Sequence, residues 1–525
     1  MLSRSKVLLL LTLLTTLLHG QSPAIEWQYN YGGSQSDIGH SVATTSDGGY
    51  IVAAITDSDD GDVVGHQGQA DLWVLKLTSD GTVLWQRCYG GSLLESGPAM
   101  VMGLPDGGYI IGCTSGSNDG DITCPVTGSM LWVLKINSIG EIEWQRCLGG
   151  SGGDVFRSVR LTPDGGYIVV GGTYSSDGDA TTNNGLMDVL LIKLDEQGAT
   201  QWSRCYGGSD LDHGRDVTPT MDGGYLVCGT TRSNDGDING LNPYFAEPSS
   251  PLTGWILKVD SIGNIQWQQC VGGTGNDVLN RIFESDDGSI RSVGYTFSMD
   301  GHVQDNIGQD DGWLVKLASD GAFLSQKSLG GTQSDQITGG RSLYNNSLLL
   351  VGRTYSSDGD ITAPLGAGDV WVMLVDEDLE LLWSGNYGGS LNDLGTDIQV
   401  TPDGGAIVVG YSVSSDGHLT GNNGYIDLWV VKLEPWDDAG LHENPLQNAL
   451  ELFPNPATDL LHVQWAQWIS NPMSWSIFDL TGREVAHGQA MGERSVIPLE
   501  DLATGTYLFQ LRDGQGYQVK RFVKQ

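Results

Sequence analysis

The chain has 525 residues, including 76 Gly and 16 Trp, and its 64 Asp and Glu against 26 Lys and Arg give a formal charge of −38. An acidic balance of this size excludes nucleic acid and anionic membrane surfaces as partners, because neutralising phosphates requires clustered cations. Many Gly and Trp with only 17% charged residues indicate a turn-rich all-β protein rather than a helical one.

At the N-terminus, Arg4 and Lys6 precede an apolar run from Val7 to Leu18 and small residues near Gly20. Residues 1–20 read as a secretory signal peptide, the run being too short to span a bilayer. The rest of the chain has no long apolar segment, so the mature protein is expected to be exported without a transmembrane span.

A repeat then occupies most of the chain. The turn "DGGY" starts at Asp47, Asp106, Asp164 and Asp222, becomes "DGSI" at Asp287 and "NNSL" at Asn345, and returns as "DGGA" at Asp403. Its step is 58 or 59 residues except for 65 between Asp222 and Asp287. Each unit holds four short β-type runs, in the first "HSVATT", "GYIVAAIT", "DLWVLKLT" and "VLWQRCYGG". Alternation sends Trp73, Leu75 and Leu77 to one face and Leu72, Val74 and the Lys76 stem to the other. Two apolar faces on a four-stranded antiparallel unit describe a propeller blade packed between neighbours. The orphan strand "IEWQYNYGG" precedes the first unit, and the seventh unit stops at "DLWVVKLEPW". The expected fold is therefore an all-β, seven-bladed β-propeller over residues 21–436, closed by its N-terminal strand.

"YGGSQSDIGHSVATTSDGGYIVAAIT" and its copies resemble the bacterial seven-bladed β-propeller repeat family, with its Gly-Gly-Ser then Asp opening, Gly-Gly or Gly-Asn turn and aromatic-Val-x-Lys-Leu strand. The resemblance implies the fold and leaves the activity open, since one fold hosts many functions.

Two acidic elements are expected on one face. The Gly-Gly-Ser/Thr-x-x-acid turn places a carboxylate in every unit, at Asp37, Glu95, Asp154, Asp212, Asp277, Asp335 and Asp393. Either these accept hydrogen bonds in their own turns or they form a ring for a cation or a polycationic ligand. The loop between the second and third strands carries three acidic slots, all filled by Asp60, Asp62 and Asp71, by Asp177, Asp179 and Asp188, and by Asp358, Asp360 and Asp369. Three carboxylates on a tight turn suit Ca²⁺. Against it, His302 and His418 occupy the second slot in two units, and Asp-Gly is good turn chemistry on its own. The turn reading is preferred, with Ca²⁺ as the one cofactor under consideration.

Repeated Trp residues at blade-packing positions read as core. The seven Cys leave at least one unpaired; Cys88, Cys147, Cys205 and Cys270 share one repeat slot and read as small buried hydrophobes, while Cys113, Cys124 and Cys228 could pair with some of them, and no bridge is assigned. Unit four has a lengthened loop, "NGLNPYFAEPSSPLTG", which presents Tyr244 and Phe245 as candidate ligand-binding residues, because loops on rigid scaffolds carry such sites. No HExxH, CxxC or phosphate-cradling motif occurs, and no catalytic residue is assigned.

After a linker, 437–450, residues 451–525 read as a small antiparallel β-sandwich. Pro454, Asn455 and Pro456, then Gly482 and Arg483, then Gly505 and Tyr507, and finally Lys520 and Arg521 closely resemble the type A C-terminal sorting domain of Bacteroidetes type IX secretion. The resemblance implies engagement of that secretion machinery, crossing of the outer membrane, tail removal, and release or attachment to surface lipopolysaccharide. The leading expectation is an outer-surface or secreted binding or scaffold protein for a glycan, a protein or Ca²⁺. A polysaccharide-acting propeller enzyme and a structural adhesion or surface-layer component are the alternatives.

Overall fold

The computed structural model describes residues 22–124, 128–180, 182–238, 251–285, 287–343, 346–436, 451–453, 457–458, 460–479, 484–499, 502–513 and 516–525. Every regular element among them is a β-strand. Seven four-stranded antiparallel sheets carry the repeats, and a separate sheet forms the tail.

In blade 1 the strands Asp37–Thr44, Tyr50–Thr56, Asp71–Leu77 and Val83–Tyr89 pair in chain order. The second and third are buried along their whole length, while the fourth is partly exposed. Alternation works as the sequence suggests: Trp73, Leu75 and Leu77 pack toward blade 7 on Val409 and Val430, whereas Leu72 and Val74 pack toward blade 2 on Ala99 and Val101. The "DGGY" turn is tied to the third strand by an ion pair between Lys76 and Asp47 at 2.9 Å, repeated by Lys135–Asp106, Lys193–Asp164, Lys258–Asp222 and Lys432–Asp403. The recurring Lys therefore fastens its own blade.

Innermost strands starting at Asp37, Glu95, Asp154, Asp212, Asp277, Asp335 and Asp393 pack side by side around an axis, the last against the first. Blade 7 takes three strands from Asp393 to Leu433 and its outermost strand, Ile25–Tyr31, from the N-terminus. Trp429 Nε1 donates to Gln28 Oε1 at 2.8 Å across that junction, as Trp73 does to Gln86 within blade 1 at 2.7 Å. Closure completes blade 7, so that each blade has only its short outermost strand as an edge. Trp73, Trp132, Trp313, Trp371 and Trp429 are among the largest fully buried side chains, so the repeated Trp is core.

One expectation changes. Cys147 forms a disulfide with Cys124, with Cα atoms 6.1 Å apart, and is not a plain buried hydrophobe. The blade 2 loop lies against its own outermost strand, where Thr123 N donates to Gln145 Oε1 at 3.3 Å, and that brings Cys124 to Cys147. The other five Cys are free and buried.

In the tail, the long strand Leu460–Asp479 pairs with Glu484–Pro498, with Glu451–Phe453 near its start, and with Gly505–Asp513 near its end; Gly516–Lys524 adds to the last. Leu461 and Val463 from its first part share one core with Ile477, Phe509 and Phe522 from the other end of the sheet. The sheet thus folds over itself as a small sandwich.

Candidate functional site

The acids of the opening turns face inward. Asp37 is fully buried; its Oδ2 accepts from Gly33 N at 2.8 Å and Ser58 Oγ at 2.9 Å, and its Oδ1 accepts from Thr56 Oγ1. Asp154, Asp212, Asp277 and Asp393 repeat this set with their own Gly N–H and hydroxyl partners. A buried carboxylate in each blade therefore pins the incoming turn to the end of the second strand.

The loop acids also hold backbone. In the first slot, Asp60, Asp177 and Asp358 accept from Ser34 N, Ser151 N and Thr332 N at 2.7, 2.7 and 2.8 Å. In the second, Asp62, Asp179 and Asp360 accept from Gly32 N, Gly149 N and Gly330 N at 3.2, 3.1 and 3.0 Å. His302 and His418 meet Gly272 N and Gly388 N with Nδ1, both at 3.2 Å, in that same place, which explains why His substitutes there: the slot asks for an acceptor. Gly61, between the first two slots, has φ of 63°, and a Cβ on it would lie 2.4 Å from Gly32 O. Only Gly fits so close an approach.

In the third slot, Asp71, Asp188 and Asp369 accept with Oδ2 from Gln67 N, Asn184 N and Leu365 N at 2.7, 2.7 and 2.8 Å. Their Oδ1 atoms are buried and have no hydrogen-bond partner, as do those of Asp311 and Asp427 at the same position. Each Oδ1 looks across a blade boundary. A Cβ placed on Gly90 would lie 2.5 Å from Asp71 Oδ1 and 2.4 Å from Glu95 Oε2 of the next blade; on Gly207 the values are 2.6 and 2.7 Å for Asp188 and Asp212. Burial, then the charges of Asp212 and Asp237, push Asp188 to about 6. The nine predicted aspartates thus lie in three separate blades, each holding its own turn, and among the described residues no three His, Cys, Asp or Glu form a metal-ligand cluster.

Sequence reasoning missed the axis. Every innermost strand has a register shift against its neighbour, between Gly39 and Ser41, Ser96 and Met100, Phe156 and Ser158, Gly214 and Asp216, Leu279 and Arg281, Ile337 and Gly339, and Gly395 and Asp397. Such β-bulges re-aim the extra side chain. Six of the extra residues, His40, Arg157, Arg215, Asn280, Thr338 and Thr396, line an axial cavity of about 520 Å³. Met100 borders this cavity and a second one, of about 470 Å³, that opens by the "DGGY" turns. In the second, Arg160 and Arg341 pair with the buried Asp216 and Asp397 at 2.7 and 2.9 Å. The first opens by the acidic turns and contains Arg157, Arg215 and Arg281. A signal was present: the extra residue stands third after each turn acid, in a column that reads His, Pro, Arg, Arg, Asn, Thr, Thr.

Tyr244 and Phe245 lie outside the described residues, as do Pro454, Asn455, Pro456, Gly482 and Arg483. In the tail, Gly505 opens a strand, and Tyr507 is buried against Phe522 with ring centroids 5.7 Å apart while its hydroxyl donates to Ala503 O at 2.8 Å. Lys520 is exposed, and Arg521 sits on the last strand opposite Leu508.

Residues 451–525 match the family model of the secretion system C-terminal sorting domain. No curated protein matches the chain. Among solved structures, a fungal alcohol oxidase in complex with copper superposes with TM-score 0.46 at 11% identity, covering 96% of this chain and 100% of that one. A puromycin hydrolase gives 0.44 at 15% identity over 82% of this chain and 59% of its own. PorZ, a surface component of the type IX secretion system of Porphyromonas gingivalis, gives 0.21 at 12% identity, covering 96% and 86%. Similarity at these levels has no bearing on what the chain binds. No helix among the described residues is long and apolar enough to cross a membrane. The chain is an exported all-β propeller with a C-terminal sorting domain of the type IX secretion kind.

Proposed function

We propose that the protein is a non-catalytic binding or scaffold module of the outer cell surface, delivered by the type IX machinery through residues 451–525 and then released or attached to surface lipopolysaccharide. Its ligand docks in the axial cavity beside the acidic turns. One observation carries this reading. The seven blades repeat their turn acids with little variation, yet the bulge residues facing that cavity are of five kinds, His40, Pro98, Arg157 and Arg215, Asn280, and Thr338 and Thr396. A structural role favours repetition, whereas a single ligand needs unlike groups around it. At about 520 Å³ the cavity matches ordinary small-ligand sites, which run to roughly 300–1,000 Å³.

Export is tested by deleting residues 451–525, which should leave the propeller in the periplasm; normal surface delivery of the deletion would contradict the route. Binding is tested by screening the full chain against extracellular glycans and surface proteins alongside a hydrolysis assay. Capture without turnover supports a module, and turnover abolished by a single cavity substitution would favour the enzyme alternative.

A Ca²⁺ requirement is a second reading, supported by the orphaned buried oxygens of Asp71, Asp188, Asp311, Asp369 and Asp427. The cation would sit between two carboxylates of adjacent blades rather than within the Asp60, Asp62, Asp71 set of one loop. Melting curves in calcium and in chelator test it. A ligand at about 100 times its dissociation constant raises stability by roughly 2.7 kcal/mol if it binds only the folded state, and coincident curves would leave these positions to protons alone.

A further inference from the structure

The axial cavity carries a charge pattern opposite to the protein around it. In a chain of net charge −38, three arginines, Arg157, Arg215 and Arg281, enter the one cavity, and among the described residues none of them forms an ion pair with a carboxylate. Arg215 Nη1 donates to Asn280 Oδ1 and Arg281 Nη1 to Asn280 O, each at 3.2 Å. Their Nε atoms are buried and without a partner. The contrast with the other end of the axis is direct, since Arg160 and Arg341 there are each satisfied by a buried Asp.

The carboxylates that face this cavity do not neutralise it. Glu95 is committed to Ser115 Oγ at 2.8 Å and Gly91 N at 3.1 Å, and Asp57 is exposed to solvent. Histidine adds no charge at neutral pH, because burial holds His40 down at about 4. Burial, followed by the charge on Arg215, also lowers Arg157, to about 10, which leaves it a cation. The three arginines are half-buried, and buried N–H donors such as the Nε of Arg215 and Arg281 are costly unless something accepts from them. Their planar fork matches the two oxygens of a carboxylate or sulfate.

We propose that Arg157, Arg215 and Arg281 form an oxyanion-binding site in the axial cavity, taking the carboxylate or sulfate of a small ligand. Thr338 and Thr396, on the facing bulges, donate their hydroxyls to Gly395 O and Gly39 O at 2.5 and 2.9 Å, which leaves their oxygens as acceptors for the ligand's neutral part. The inference rests on the reading of this cavity as the ligand site and deepens it by naming the chemistry. The oxyanion has two sources, an acidic sugar or a free inorganic ion.

The test is a calorimetric titration of the full chain with glucuronate, sodium sulfate and glucose. Glucuronate should bind at one site per chain, sulfate should compete with it, and glucose should give no heat. Arg215→Gln and Arg281→Gln should each weaken binding by roughly tenfold or more, the worth of a charge-assisted hydrogen bond. Lys327→Gln, on an outermost strand, makes the same charge change and should leave binding as it is. Melting curves of each variant show that it is folded; if one is not, the other Arg position and Arg157→Gln carry the test. Sulfate binding without glucuronate binding keeps the oxyanion site and makes the free ion its occupant. Equal binding of glucose and glucuronate, absence of any anion binding, or Arg variants that bind like the native chain would overturn the site. Capture of a neutral glycan by native and Arg-variant chains alike would do so too, while leaving the broader binding reading standing.

Discussion

Two rings surround the same axis, three residues apart in sequence, and they behave in opposite ways. The turn acids at Asp37, Glu95, Asp154, Asp212, Asp277, Asp335 and Asp393 are alike, buried, and hydrogen-bonded inside their own blades. The bulge residues that follow them are less alike, face a cavity, and include Arg157 and Arg215, the second with an unpartnered Nε. Repetition in a propeller therefore marks what each blade needs to fold, and departure from repetition marks what the assembled ring presents to others. The conspicuous acids serve the fold, and the less conspicuous column beside them is where a ligand is expected.

Among single substitutions the largest effect is expected in the acid ring. Asp212→Ala would strand Gly208 N–H and the hydroxyls of Thr231 and Ser233, a loss of about 3 kcal/mol or more in urea denaturation. Gly178→Ala should cost about 2 kcal/mol by the same measurement, because φ is 64° and the new Cβ would lie 2.2 Å from Gly149 O.

Asp311→Asn sharpens the picture at the blade boundary. Burial, and then the charges of Asp335, Asp360 and Asp310, push Asp311 to about 7. The folded chain thus keeps a proton that the unfolded chain releases near pH 4, and this contribution to stability is lost as pH rises from about 4 to 7. The amide has no such dependence. Melting temperatures should accordingly shift in favour of the variant between about pH 5 and pH 8, while the His40 and His213 contributions, common to both proteins, cancel. The smallest effect is expected for His302→Asp, within about 0.5 kcal/mol, because a carboxylate accepts from Gly272 N as the imidazole Nδ1 does.

Much of the fold was legible because its signals are periodic. The 58-residue step, the alternation around Trp73 and the orphan strand at Ile25 led to seven blades and their closure, and the Lys and "DGGY" columns turned out to be ion-pair partners. Even the single 59-residue step has a cause: the innermost strand of blade 2 takes one residue more between Glu95 and Met100 than blade 3 takes between Asp154 and Ser158. The axial site was not legible, since a β-bulge depends on pairing between strands and an alternation pattern does not show which residue is left over. The Cys124–Cys147 bridge stayed unassigned for a similar reason, as it depends on how one loop lies on its own blade.

The most direct test of the central claim is urea denaturation of Asp212→Ala and Arg215→Ala side by side with the native chain. The two residues lie three apart on one strand. A large loss is expected for the aspartate, about 3 kcal/mol or more, and a change within about 1 kcal/mol for the arginine, which has no carboxylate partner to strand. A stable Asp212 variant beside an Arg215 variant that unfolds would contradict it, and would make the arginines part of the scaffold.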